Sequence, residues 1–296
     1  MRLDDQRESD YVEDRRSQGG FSGGGRGISM GTLMMLWPIL RPLLRTKFGW
    51  MLIAGGAALY MMGINPLAFF SGGNVATPKV DKKVEDKQAR FISKVLASTE
   101  DVWTALLPKY GLRYKKPKVV LFRGFTRSGC GAASAQTGPF YCPADQKIYL
   151  DLSFFDELAR RFGATGDFAQ AYVLAHEVGH HVQNLTGILD KAHRLQARMS
   201  KRESNALQVR LELQADCYAG IWGHYADKQR LLEPGDVEEA MRAAAAIGDD
   251  TIQRKTQGYV RPDAFTHGSA KQRAEWFMRG FKTGDMRACD TFQGMR

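Results

Sequence analysis

His176-Glu177-Val178-Gly179-His180 is the stretch from which the rest of the chain is read. A helix turns roughly 100° per residue, so side chains four apart stand about 40° out of register, and His176 and His180 face one point. Glu177 leaves the same helix on the neighbouring flank, where its carboxylate can reach a water on a divalent ion rather than the ion itself. By composition, a chance HExxH is expected in only about one such chain in two hundred, so ordinary surface histidines explain it poorly. The surrounding sequence predicts a helix over 167–184. Asp167 stands as its capping residue with Gln170 three positions on, and Phe168, Ala171, Tyr172, Leu174, Ala175 and Val178 form an apolar face. Gly179 costs roughly 1 kcal/mol of helix propensity against alanine. A position without a side chain there suits close approach by a neighbouring element.

A hydrolytic zinc ion takes three protein ligands and keeps a fourth position for water. The best candidate for the third is Glu212, in Leu211-Glu212-Leu213-Gln214-Ala215-Asp216, within a helical pattern from about Glu203 to Tyr225. Asp216 follows one turn later, placed to accept a hydrogen bond from the outer nitrogen of a ligand histidine and so fix its tautomer. Other histidines compete poorly. His181 lies about 140° around the helix from His176, and His193 and His224 have no motif around them. Thr186 occupies the position where a metzincin would carry a third histidine, which disfavours that class.

The segment HEVGHHVQN, the ELQAD segment, and Phe265-Thr266-His267-Gly268-Ser269 with Arg273 and Trp276 together resemble a bacterial family of neutral zinc metallopeptidases. The opening Met1-Arg2 and the run from Glu8 to Arg16 are similar to that family's amino terminus. The resemblance spans nearly the whole chain apart from a glycine-rich segment. It implies a gluzincin-like site with one Zn2+ ion, His176, His180 and Glu212 as ligands, and Glu177 as general base. His267, which begins the last helix within the family-like motif, is the first candidate for stabilising charge on the substrate carbonyl. Tyr218 and Tyr259 come second, and Asp249 and Asp250 are possible orienting groups for His267.

Composition sets the frame: 296 residues, 44% hydrophobic and 25% charged. The expected fold is α+β, a mainly helical zincin-like metallopeptidase domain with a small β-sheet, preceded by one transmembrane helix. Residues 1–47 are expected as a flexible glycine-rich tail and juxtamembrane segment, 48–70 as the span, 71–82 as a linker and 83–296 as the catalytic domain. Phe48 to Phe70 has no charged residue across 23 positions, enough at 1.5 Å per residue to cross about 30 Å of hydrocarbon. Arg41, Arg45 and Lys47 before it favour a cytoplasmic amino terminus, partly offset by Lys79, Lys82 and Lys83 after it. The expected location is therefore the bacterial inner membrane, single-pass, with the catalytic domain periplasmic. Cys130, Cys142, Cys217 and Cys289 all follow the span and form no CxxC. An even count outside the cytoplasm suggests disulfides, and Cys130–Cys142 with Cys217–Cys289 is the preferred pairing of three. The second bridge would pin the Glu212 helix to the carboxyl terminus.

Within the domain, helices are expected over 83–110, 167–184, 203–225, 234–247 and 269–281, and strands over 118–122 and 147–150. Gly131-Ala132-Ala133-Ser134-Ala135 is the chosen edge strand for pairing with an extended substrate. A net charge of +10 and pI near 9.5 raise the question of nucleic acid, but the positive residues are scattered and no nucleic-acid motif occurs, so that partner is excluded. The expected partner is a peptide or protein substrate, hydrolysed with Glu177 as base. Two rivals are a membrane-tethered zinc-containing binding or regulatory protein and a zinc hydrolase acting on a non-peptide amide. The intact Glu177 argues against the first, because a purely structural site needs no base.

Overall fold

Strand Val12–Asp14 (β1), near the amino terminus, runs parallel to Lys118–Phe122 (β2), with Val12, Glu13 and Asp14 opposite Val119, Val120 and Leu121. The structure is a computed structural model describing residues 1–17, 82–134, 137–162 and 166–293. Met1–Gly20 and Asp81–Arg296 belong to one compact unit. The expectation of a flexible tail is therefore corrected for residues 1–17. Leu3 is buried in the core, the Ser9 amide donates to Ser93 Oγ at 3.0 Å, and Arg7 and Arg16 pair with Glu100 and Asp86 at 2.9 Å each. The composition misled because the glycine run begins only at Gly19, beyond the strand.

That pairing also constrains where β1 and β2 lie. Two strands exchange backbone hydrogen bonds only within one aqueous phase, and a single membrane crossing between them would separate them. The span over 48–70 itself lies outside the described residues. Among the described residues no helix is long and apolar enough to cross a membrane.

The main sheet has the order β1-β2-β6-β5. β2 pairs in parallel with Lys147–Asp151 (β6), and Phe140–Cys142 (β5) runs antiparallel at the far edge. Phe125–Ser128 (β3) and Gly131–Ser134 (β4) form a separate two-stranded hairpin. Inward positions of β2 and β6 are Val, Leu, Phe, Ile and Tyr, fully or almost fully buried, which is the composition a sheet covered by helices requires.

Helix α1 (Lys82–Leu106) passes into a short 3-10 turn over Leu107–Tyr110, and Gly111 ends it in the left-handed region at φ 72°. Leu152–Phe162 (α2) follows β6 without a break, Asp167–Leu185 (α3) carries the HExxH stretch, and Ile188–Gln196 (α4) is a short crossover. Lys201–Lys228 (α5), Asp236–Ala246 (α6), Asp249–Gln257 (α7) and Ala270–Thr283 (α8) complete the fold. Helices α2, α4 and α7 are additions to the sequence reading. α4 buries only Leu189 and Ala192, and α7 only Asp249, so neither has a long apolar stripe to betray it.

α3 is buried on almost every side, the signature of a central helix. Phe168 stacks on Trp222 of α5 at 5.6 Å, and Trp222 Nε1 donates to Ser98 Oγ of α1 at 3.1 Å. The start of α3 differs from expectation. Gly166 is the capping position, with no side-chain cap; Asp167 lies inside the first turn and accepts the Met1 ammonium at 2.9 Å, while Gln170 bonds Gln88 at 3.0 Å. A cation from elsewhere in the fold outcompetes the local amides for that carboxylate. Both cysteine pairs form as expected, with Cα–Cα separations of 5.8 Å for Cys130–Cys142 and 5.6 Å for Cys217–Cys289.

Candidate metal centre

The site forms where α3 crosses α5. A Cβ on Gly179 would sit 2.9 Å from the Ala215 carbonyl oxygen, so the missing side chain lets the two helices approach closely, as the sequence suggested. That approach brings the first turn of HExxH against the ELQAD turn. His176 Nε2 lies 3.2 Å and His180 Nε2 3.6 Å from Glu212 Oε2. The three donor atoms fall within 4.8 Å of one another. Ligands about 2.0–2.1 Å from a tetrahedral ion sit roughly 3.3 Å apart, so this set of two imidazoles and one carboxylate fits zinc.

The field at this point favours positive charge. Burial opposes charge on His176, but Asp216 and Glu212 outweigh it and push its pKa up to about 10. Burial also opposes the Glu212 carboxylate, yet His180 and His176 hold it well below the usual range. His176 Nδ1 is 2.8 Å from Asp216 Oδ1, the contact expected of that residue. A carboxylate only accepts, so Nδ1 carries the hydrogen and, in the neutral ring, Nε2 keeps its lone pair toward the cleft.

Asp216 is itself held. It is fully buried and accepts from Tyr172 Oη at 2.5 Å, Arg273 Nε at 2.8 Å and Arg273 Nη2 at 2.9 Å. Burial would raise its pKa, but the Arg273 guanidinium and His176 bring it down to about 2. Glu212 Oε1 accepts from Gln208 Nε2 at 2.9 Å. Tyr172 was read only as part of the apolar face of its helix, and Gln208 was not singled out in the sequence. Gln208 is one turn before Glu212, and that i, i+4 spacing was the available signal.

Glu177 is buried and lines the same cleft of about 830 Å³ as the three donors. It makes no hydrogen bond to any described residue. His267 also lines this cleft, half exposed, with Nδ1 3.3 Å from Asp249 Oδ1. Asp249 Oδ2 gathers the amides of Thr266, His267 and Gly268 at 2.6, 2.6 and 3.0 Å, so it orients the whole turn. Asp250 instead accepts from the Ala270 amide at 2.7 Å. The two tyrosine alternatives are not in the cleft. Tyr218 is buried against Trp103 at 5.6 Å and borders a separate groove, and Tyr259 is exposed.

The competing histidines stand as the sequence suggested. His181 faces away from the donors, with Nε2 2.5 Å from the Lys115 carbonyl oxygen and Nδ1 3.1 Å from Tyr141 Oη; burial lowers its pKa to about 4. His224 Nδ1 meets the Phe281 carbonyl oxygen at 2.8 Å. His193 is exposed on the cleft's rim. Among the described residues Gly131–Ser134, the chosen edge strand, pairs with β3 and does not line the cleft, whereas Phe140 and Tyr141 of β5 do. β5 pairs with β6 and sits at the outer edge of the main sheet. Cys142, at its end, is bridged to Cys130 beside the hairpin.

Residues 1–292 match the family described as "Putative neutral zinc metallopeptidase". The chain is 48% identical over 300 residues to "Uncharacterized protein YpfJ" of Escherichia coli (strain K12), covering 99% of each. It is 48% identical over 206 residues to "Uncharacterized protein Rv2575" of Mycobacterium tuberculosis, covering 66% of this chain and 67% of that one. No solved structure matches it. On a match that runs through both helices of the metal centre and nearly the whole length, the chain belongs to the neutral zinc metallopeptidase family.

Proposed function

We propose that this chain hydrolyses peptide bonds with one zinc ion held by His176, His180 and Glu212, and with Glu177 as general base. The observation that carries the reading is the convergence of those three donors in one cleft with a buried Glu177 carboxylate. Bound zinc supplies acidification of a water and polarisation of the scissile carbonyl. Glu177 would take the proton from the attacking water and deliver it to the leaving amine. His267, steadied by Asp249, offers a hydrogen bond to the carbonyl oxygen as negative charge develops there. The outer edge of β5 presents backbone groups to which an extended substrate can add as a further strand, with side chains alternating into the cleft.

The two disulfides support an oxidising, extracytoplasmic compartment for the domain, and the apolar run over 48–70 supports attachment to the bacterial inner membrane. Because β1 pairs with β2, residues 1–17 share the domain's side of that membrane. Activity is tested on casein-like substrates with the zinc-loaded full chain, alongside Glu177→Gln. Cleavage by the parent and its loss in the variant, with zinc content retained, is the expected result. A parent that retains zinc and cuts no peptide would overturn the proposal, and equal function of the two proteins in cells would favour a binding role.

A further inference from the structure

His176 and His180 are oriented by different chemistry. The first meets a carboxylate; the second has Nδ1 2.9 Å from Gln183 Oε1, one turn on along α3. Gln183 is completely buried. The two ends of an amide have the same shape, so its orientation is decided by what each end faces. Gln183 Nε2 lies 2.7 Å from the Leu211 carbonyl oxygen and 3.1 Å from Gln214 Oε1. A backbone carbonyl can only accept, so the NH2 end faces it and the oxygen faces His180. That oxygen also only accepts, so the hydrogen belongs on His180 Nδ1. The neutral ring then keeps its lone pair on Nε2, the atom directed toward Glu212.

Gln214 continues the series. It is buried, and its Nε2 donates to the Cys289 carbonyl oxygen at 3.0 Å. Cys289 is bridged to Cys217, one turn from Gln214 on α5. Donors therefore run in one direction, from His180 through Gln183 and Gln214 to a carbonyl anchored by a disulfide. Without an acceptor at Gln183, the other tautomer places a hydrogen on Nε2, 3.6 Å from Glu212 Oε2, where it opposes metal binding.

We propose that Gln183 and Gln214 are positioning residues that hold His180 in its metal-binding tautomer, with the Cys217–Cys289 bridge anchoring the far end of the relay. The inference rests on the reading of His180 as a ligand but not on peptide cleavage. The test is zinc affinity of the purified full chain in competition with a chromophoric chelator, together with the absorption spectrum of the Co2+ form. Outer partners of ligand histidines are worth about 10–100-fold in affinity. Gln183→Leu is expected to weaken zinc by that amount and shift the Co2+ bands, and Gln214→Leu to weaken it about tenfold. Gln183→Glu, which keeps an acceptor for Nδ1–H, should bind tighter than Gln183→Leu. Val182→Ala, a buried neighbour with no polar atom, should leave both readouts unchanged.

Parent-like affinity in Gln183→Leu, or an equal loss in Val182→Ala, overturns the proposal. If Gln183→Leu does not fold, Gln214→Leu decides, and parent-like affinity there overturns it. A chain showing these zinc effects that cuts no peptide would defeat the functional reading and leave the relay standing. Unmoved affinities in an active peptidase would defeat the relay alone.

Discussion

Arg273 of α8 clasps Asp216 of α5 in a bidentate contact, Nε and Nη2 donating at 2.8 and 2.9 Å, with neither residue more than 1% exposed. Asp216 in turn holds His176, so the last helix of the fold reaches the metal centre through one buried ion pair. Removing the cation would strand a charge in the interior. Arg273→Met is expected to cost about 3–5 kcal/mol, measured by urea unfolding. In Arg273→Met with Asp216→Asn the losses should add to less than their sum. A cost under about 1 kcal/mol for the single variant would mean the pair is not what holds Asp216.

Gly179 offers a steric test of the α3–α5 approach. A methyl group there meets the Ala215 carbonyl oxygen at 2.9 Å and its Cα at 3.1 Å, and both are backbone atoms that cannot swing aside. Gly179→Ala should lose about 1–3 kcal/mol by overpacking, despite alanine's better helix propensity. It should also weaken zinc, because the displaced backbone is three residues from Glu212. Calorimetry and zinc titration report the two effects separately. A stabilised variant with parent-like zinc affinity would refute the tight crossing.

The pairing of β1 with β2 predicts that residues 1–17 and the domain lie in one compartment. A cysteine introduced at exposed Ser17 should react in intact cells with a membrane-impermeant maleimide whenever one introduced at exposed Lys228 does. The native cysteines are all bridged, so they contribute no background. Labelling at one site with protection at the other would show that the strands do not share a compartment.

His267 predicts the alkaline limb of the pH profile. Its hydrogen bond to Asp249 raises its pKa above 6.5 against the opposing effect of burial. A raised value means the protonated form, and its interaction with Asp249, is fully present below about 6.5 and is lost as pH rises through the folded-state value. If imidazolium supplies the hydrogen bond to substrate, kcat/KM falls through that window. Asp249→Asn should move the fall to lower pH. An alkaline limb that does not move would remove His267 from the reaction.

How much of this was legible beforehand differs from residue to residue. His176 and His180 were readable because both lie on one helix, where the 3.6-residue period converts spacing directly into direction. Asp216 followed from the same arithmetic on a second helix. Gln183 sits at equally regular spacing, yet a glutamine one turn from a histidine has no meaning until Leu211 and Gln214 fix which way its amide faces. β4 was chosen as the edge strand by composition; only the tertiary structure shows that β5 lines the cleft. Residues 1–17 looked like a tail because local composition is silent about a partner strand more than one hundred positions away.

The amino-acid order alone pointed to the donor set and the helices that bear it, since each follows from chemistry or period within a short stretch, and offered the cysteine pairing as one of three. Tertiary structure alone decided which carboxylate meets which cation and which strand borders the cleft. Those outcomes depend on contacts between distant segments, where geometry and competition for buried partners override local preference.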